Sequence, residues 1–296
     1  MRIRFGFRDV EFPSAHLGEL RESQDLLDDV GALWQRLNED GYLLLRRLID
    51  RETVIDARNV VLQHMQVQQA LQPDTPLLQG VMPRGGKSVQ MMGRKGIAHH
   101  PAVLATVEHP ALFALFEGLF AEPALTYSYK WLRGVGNDEY TGAHFDFVYM
   151  GRGSPNLYTV WIPFDDIEIT RGALAICRGS HNLASFARIR DTYGKMDVDR
   201  DRIEGWFELD PPKIVERFGG QWLGSHYRAG DVIIFGMHTM HASTTNLTNR
   251  FRLSCDVRFQ PAGDSVDERW KRDGPGHYSA GTETRDMVSA RAEWGV

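Results

Sequence analysis

From Leu125 onward the chain reads as a succession of short strands, and that run decides what it can fold into. Leu125 to Arg133 alternates, which places Tyr127, Tyr129, Trp131 and Arg133 on one face. Further strand candidates follow at Ala143–Met150, Leu157–Pro163, Ala173–Cys177, Asp231–Phe235 and Arg252–Gln260. Turn residues separate them: Gly151-Arg-Gly153, Asp165-Asp166, Arg171-Gly172 and Ala229-Gly230. Strands this short bury their apolar faces only by packing sheet on sheet, so a sandwich or barrel is expected.

The N-terminal third has a different period. Leu26, Leu27, Val30, Leu33, Trp34 and Leu37 recur at helical spacing and predict a helix from Ser23 to Asp40, stopped by Gly41. Tyr42 to Arg46 reads as a short buried strand. Asp50 caps a second helix, Glu52 to about Met65, and His109 to Phe120 forms a third. Residues 72–98 read as loop. We therefore expect one domain over 1–296: a helical part at about 20–121, a strand core at about 124–261, and an insertion at 182–221. The insertion is either a lid over a site or solvated surface.

Composition excludes several classes. The chain has 296 residues, 42% hydrophobic and 25% charged, with 34 basic against 39 acidic residues and a net charge of −5. No basic face suggests a nucleic-acid partner. No run of about 18 apolar residues suggests a membrane span. Cys177 and Cys255 lie in apolar, strand-like runs, which fits buried thiols in a reducing, cytoplasmic compartment. Nothing in the pattern chooses between a monomer and a homo-oligomer.

The chemistry concentrates in three places. In Gly142-Ala-His144-Phe-Asp146-Phe, strand alternation would project His144 and Asp146 to one side. His241, after the buried-strand signal Asp231 to Phe235, is the best third ligand, with His238 as its rival. Two imidazoles and one carboxylate leave adjacent positions open on a ferrous ion for a cosubstrate and O2. Arg252 follows His241 by eleven residues, and in strand phase it shares a face with Ser254. A guanidinium fork with a hydroxyl beside it suits the distal carboxylate of 2-oxoglutarate. Arg250 and Arg258 are nearby alternatives. Read from these residues alone, a non-catalytic binding protein or a zinc- or manganese-dependent isomerase or hydrolase stays open.

Taken together, the motifs resemble the phytanoyl-CoA dioxygenase family of Fe(II)/2-oxoglutarate oxygenases from about Leu37 to Pro261. The resemblance is carried by Asn38 to Asp50, the His144-Phe-Asp146 pair, and Val160-Trp161 with the residues to Ile167. Gly172 to His181, Gly230-Asp231, His241-Ala-Ser243, Asn246 and Arg252 complete it. It implies a double-stranded β-helix, or jelly roll, of cupin-like type with flanking helices. It implies iron at His144, Asp146 and His241, and 2-oxoglutarate at Arg252 with Ser243 and Trp161 as contacts. It makes Gly179-Ser180-His181 a structural turn. Because related halogenases lack the carboxylate, Asp146 points to hydroxylation or to desaturation, ring closure or epimerisation.

The chain departs from the family pattern at Phe145, at Arg178 and along the strand from Leu125 to Arg133. Those departures concern the substrate, which is expected to be a small molecule. Candidate contacts are Tyr127, Tyr129, Trp131, Arg133, Tyr149 and Arg178, with Tyr158 a further aromatic and with core packing as the alternative role of each aromatic. Lys87, Gln90 and Arg94 are weaker candidates.

Overall fold

The computed structural model describes residues 1–278 and 283–296. A hairpin, β1 (Arg2–Phe5) and β2 (Arg8–Glu11), opens the chain, followed by β3 (Gly18–Glu19), α1 (Val30–Asp40), β4 (Tyr42–Leu45) and α2 (Arg51–Val67). Next come β5 (Val89–Gln90), α3 (Pro101–Val107), α4 (Pro110–Phe120), β6 (Ala124–Thr126) and β7 (Trp131–Val135). The remaining elements are α5 (Phe147–Met150), β8 (Tyr158–Pro163), β9 (Leu174–Arg178), α6 (Ala187–Asp191), α7 (Pro212–Phe218), β10 (Gln221–Gly224), β11 (Val232–Gly236), β12 (His241–Ser243), β13 (Arg252–Pro261) and α8 (Met287–Trp294).

Two sheets form the expected jelly roll. The larger runs in the order β4-β11-β8-β13-β7-β5, and the smaller runs β12-β9-β10-β3. The larger sheet is covered on both faces, which explains why all four residues of β4 are apolar and buried. Tyr42 and Leu44 pack toward the smaller sheet, with Trp161, Phe235, Ile176 and Trp222. Leu43 and Leu45 point the other way, among Leu33, Val54, Phe116 and Val160 of the helical layer.

β13 splits along the same line. Leu253, Cys255, Val257 and Phe259 join the helical layer. The alternate residues Arg252, Ser254, Asp256, Arg258 and Gln260 are polar, and all are buried on the opposite face. A buried polar row inside a sandwich is costly unless each group finds a partner.

Local chemistry moves several expected boundaries. The first helix starts at Val30, with only a 3-10 turn at Gln24–Leu26 before it. The Asp29 side chain accepts from Ala32 N–H, and aspartate is more stable capping a helix than lying inside one. Gly41 ends this helix at φ 83°, as expected. The apolar stretch Pro101–Phe120 is long enough to cross a membrane by length and composition. It folds as two helices, α3 and α4, separated at Glu108 and His109, and Leu112 and Phe116 are buried against the sheet.

The run from Leu125 to Arg133 is not continuous either. β6 and β7 are separated by Tyr127 to Lys130, where the fully buried Lys130 ammonium pairs with Glu108 at 2.7 Å and donates to Tyr127 O. The insertion at 182–221 is a packed part of the protein. Phe186, Ile189, Tyr193, Ile203, Phe207 and Ile214 join the core between the sheets. Cys177 and Cys255 are buried and unpaired.

Candidate active site

The expected strand Ala143–Met150 does not form. Ala143 and His144 make single bridges, to Glu208 and His241, and the chain then turns at Asp146 into the four-residue α5. The extended backbone ends after His144, and the turn at Asp146 keeps its carboxylate on the His144 side while Phe145 packs into the core. The His144–His241 bridge is reciprocal: His144 N–H donates to His241 O at 3.0 Å, and His241 N–H donates to His144 O at 3.1 Å. Such a pair sets two side chains directly opposite each other. The imidazole centroids lie 4.1 Å apart.

Backbone carbonyls orient both rings. His144 Nδ1 donates to Gly142 O at 2.9 Å, and His241 Nδ1 donates to Thr239 O at 3.1 Å. In that tautomer each Nε2 carries a free lone pair. Both Nε2 atoms stand 3.7 Å from Asp146 Oδ1. One ligand atom from each of His144, Asp146 and His241 lies within 4.8 Å of the others.

The second carboxylate oxygen is engaged elsewhere. Asp146 Oδ2 accepts from Arg258 Nη2 at 2.9 Å and from the Thr159 hydroxyl. Burial would raise this carboxyl's pKa. The Arg258 guanidinium, then His241, His144 and Thr159, outweigh burial and hold it below the usual carboxylate range. Burial, followed by the neighbouring His241, pushes His144 down to about 3. Two neutral imidazoles and an anionic carboxylate form the donor set that a divalent iron takes, so the residues present fit the metal.

The triad lies in a cavity of about 250 Å³. Its apolar wall includes Met92, Trp131, Tyr149, Met150, Leu174 and Phe235, and its polar wall includes Thr141, Trp161, Ser243, Arg252, Asp256, Arg258 and His277. Arg252 is 3% exposed, with its guanidinium carbon 5.8 Å from the Trp161 ring centre. Its Nη1 donates to Ser254 Oγ, its Nε has no partner, and no carboxylate pairs with it among the described residues. Burial lowers its pKa to about 10, against a smaller opposing pull from Asp256. An unpaired buried guanidinium is costly, and an incoming carboxylate removes that cost. The pocket therefore also fits 2-oxoglutarate. Ser243 lines the cavity and accepts from Thr141 N–H at 2.8 Å, while Ser254 reaches it only through Arg252.

Not every expected contact reaches the cavity. Trp131, Arg133 and Tyr149 line it. Tyr127 instead donates to Gln260 Oε1 at 3.0 Å, and Tyr129 packs against Trp131 and Trp270, with ring centres 4.7 and 5.1 Å away. Arg178 points out of the fold toward Gln221 and Asp40, because β9 ends there. Tyr158 packs in the helical layer. Arg94 is bound to the carbonyls of Arg269 and Lys271. His238 Nε2 donates to Gly194 O at 2.9 Å and its ring stacks on Phe147, away from the triad. His181 bonds Asn38 O beside Gly41, in a structural role.

Sequence reasoning missed Thr159, Asp256 and His277, and gave Arg258 no role at the triad. Asp256 and Arg258 continue the period-two polar row begun by Arg252 and Ser254, which was visible in the sequence. His277 gave no local signal. Its Nδ1 bonds Asp199 Oδ2 at 2.9 Å, and its ring meets Trp270 and Tyr149 edge-on. Asp199 also accepts from the fully buried Arg269, which Asp267 and Asp197 pair as well. The C-terminal segment thus supplies His277 to the pocket wall, and the insertion holds it there through Asp199.

Known proteins resemble the chain in sequence and in fold. The family model for phytanoyl-CoA dioxygenase matches residues 37–254. A 1-deoxypentalenic acid 11-β-hydroxylase of Streptomyces arenae is 26% identical over 249 residues, covering 80% of this chain and 83% of the relative. Its counterpart from Streptomyces exfoliatus is 26% identical over 258 residues, covering 83% and 86%. Among solved structures, the non-haem α-ketoglutarate-dependent carbocyclase SnoK from nogalamycin biosynthesis superposes with a TM-score of 0.58 at 16% identity, over 88% of this chain and 92% of its own. The epimerase SnoN, solved with Fe3+, α-ketoglutarate and nogalamycin RO, gives 0.55 at 19% identity, over 81% and 86%. The chain belongs to the phytanoyl-CoA dioxygenase family and is a non-haem iron dioxygenase that uses Fe(II), 2-oxoglutarate and O2.

Proposed function

We propose that this dioxygenase hydroxylates an aliphatic C–H bond of a small-molecule metabolite. In this reading His144 Nε2, Asp146 Oδ1 and His241 Nε2 hold the iron, and Arg252 receives the distal carboxylate of 2-oxoglutarate. When bound, the metal and its cosubstrate supply oxidising power from O2, with succinate and CO2 released.

The protein's own contribution is positional. Arg258 and Thr159 occupy Asp146 Oδ2, so the carboxylate presents one oxygen to the metal and leaves coordination positions open. The two backbone carbonyls fix the imidazole tautomers. Ser254 aims Arg252, and Ser243 sits on the same wall. Trp131, Tyr149, Met150 and Phe235 keep water from the reacting centre.

The observation that carries the reading is an unpaired, buried Arg252 in the same cavity as a complete His-Asp-His set. A zinc hydrolase or isomerase gains nothing from such a guanidinium. Hydroxylation is preferred over ring closure or epimerisation because the relatives that are 26% identical are named as hydroxylases, whereas the carbocyclase and epimerase share only the fold. The test is an anaerobic titration of Fe(II) protein with 2-oxoglutarate, followed by O2 and a panel of small molecules. A visible charge-transfer band and substrate-dependent succinate are expected. Absence of 2-oxoglutarate binding by the iron-loaded protein overturns the reading.

A further inference from the structure

The charges lining the cavity do not balance. Three guanidiniums, Arg133, Arg252 and Arg258, face two carboxylates, Asp146 and Asp256. The imidazoles of His144 and His241 count as neutral because a metal takes up their Nε2 lone pairs, and His277 is bonded to Asp199 outside the lining. A ferrous ion adds two positive charges and 2-oxoglutarate adds two negative ones, so loading the site leaves one unit of positive charge uncompensated. In a walled pocket that charge is costly until an anion pairs with it.

Arg252 is assigned to the cosubstrate, and Arg258 is fixed on Asp146 through Nη2, its buried Nε and Nη1 having no hydrogen-bond partner. Arg258 is 3% exposed, bonds Asp146, and lies over the Trp131 ring at 4.3 Å. Arg252 is equally buried and held by Ser254. Arg133 differs, because a third of its side chain is open to solvent at the cavity. Asp256 accepts from Arg133 Nη1, but its carboxylate also stands 4.0 Å from Arg258 Nη1. One acid is thus shared by two cations, and Arg133 lines the pocket with no second carboxylate at ion-pair distance among the described residues. Around it the wall is apolar, with Met92, Trp131, Tyr149 and Met150.

We infer that the organic substrate is a monoanion, a compact apolar body bearing one carboxylate, and that Arg133 receives that carboxylate. The inference rests on the assignment of iron and 2-oxoglutarate to this cavity. A monocarboxylate closes the charge count, whereas a phosphomonoester dianion overshoots it.

The experiment uses the anaerobic Fe(II)·2-oxoglutarate protein and isothermal titration calorimetry with three shape-matched probes: cyclohexanecarboxylate, cyclohexanecarboxamide and cyclohexylammonium. The carboxylate is expected to bind about tenfold tighter than the amide, with the ammonium weakest. Arg133→Gln brings carboxylate and amide to within about twofold, and Arg133→Lys keeps most of the preference, which also shows that the strand tolerates substitution. The 2-oxoglutarate dissociation constant stays within about twofold in both variants. A lack of carboxylate preference in the unmodified protein, a preference that survives Arg133→Gln, or no binding by any probe overturns the inference. So does a loss of 2-oxoglutarate affinity with probe preference intact, which would assign Arg133 to the cosubstrate. Failure of the underlying reading is seen separately, as no 2-oxoglutarate binding before any probe is added.

Discussion

Arg258 and Asp146 stand 112 residues apart in the chain, yet a 2.9 Å bond joins Arg258 Nη2 to Asp146 Oδ2, the carboxylate oxygen turned away from the two histidines. The metal-facing oxygen is thereby selected by a residue on β13. Arg258→Met is expected to weaken Fe(II) binding by about 10- to 100-fold, the usual scale for removing an outer partner of a metal ligand. Competition against a chromogenic chelator measures it, and unchanged affinity would show that Thr159 alone suffices.

Asp146→Ala removes the only carboxylate of the triad. Iron retention and substrate-coupled succinate release are both expected to disappear. Metal analysis and succinate assay check this, and turnover like that of the unmodified protein would take the carboxylate out of the ligand set.

Arg252→Met separates cosubstrate binding from stability. Loss of one partner of a buried charge pair costs about 2–5 kcal/mol, so 2-oxoglutarate affinity falls at least about 30-fold. The ligand-free variant is expected to melt no lower than the unmodified protein, because an apolar side chain replaces a buried cation that lacks an anionic partner. Melting curves with and without 2-oxoglutarate read both effects. Only the unmodified protein should gain Tm from the ligand.

Tyr42 sets an alkaline limit. Burial pushes its phenol up to about 12 from 10.0. The unfolded chain sheds this proton above pH 10 while the fold keeps it, so stability falls as pH rises from 10 to about 12. The slope is at most about 1.4 kcal/mol per pH unit for this group. Tyr42→Phe flattens that part of the curve. At neutral pH it costs about 1 kcal/mol, because the hydroxyl accepts from Arg21 N–H. Denaturant unfolding at pH 8 and pH 11 distinguishes the two effects.

Arg269 is the keystone of the C-terminal wall. It is fully buried and binds Asp267, Asp199 and Asp197. Arg269→Met leaves three carboxylates facing one another, a loss of about 3–5 kcal/mol where a buried ion pair is broken. Hydrogen exchange is expected to rise first at residues 264–278 and around 197–199, with Fe(II) affinity retained. Protection unchanged in both segments would show that packing alone holds the wall.

The elements legible in the sequence were those governed by local rules. Gly41 and Asp50 mark helix ends where the structure has them, whereas the apolar spacing that begins at Leu26 carries the predicted helix past its true cap at Asp29. Alternation placed Arg252 and Ser254 on one face, and carrying the same period onward would have reached Asp256 and Arg258. The spacing of His144, Asp146 and His241 predicts a cluster that the structure forms, although a single bridge and a turn stand where a longer strand is expected. Tyr127, Tyr129 and Arg178 were unreadable because their destinations depend on where β6 and β9 end and on Gln260, Trp270 and Gln221. His277 depends on Asp199, 78 residues away, and no periodicity encodes such a pairing.

The wall bearing His277 has one more implication. His277 itself comes from chain beyond the stretch 37–254 that carries the family signature, whereas Asp199, which holds it, and all three proposed iron ligands lie inside that stretch. Part of the pocket's outline is thus written outside the signature, while Arg133 and most of the apolar wall stay within it. Exchanging the tail together with the acidic turn at Asp197 to Asp199 would reshape the wall at His277 while the iron ligands and Arg133 stay in place.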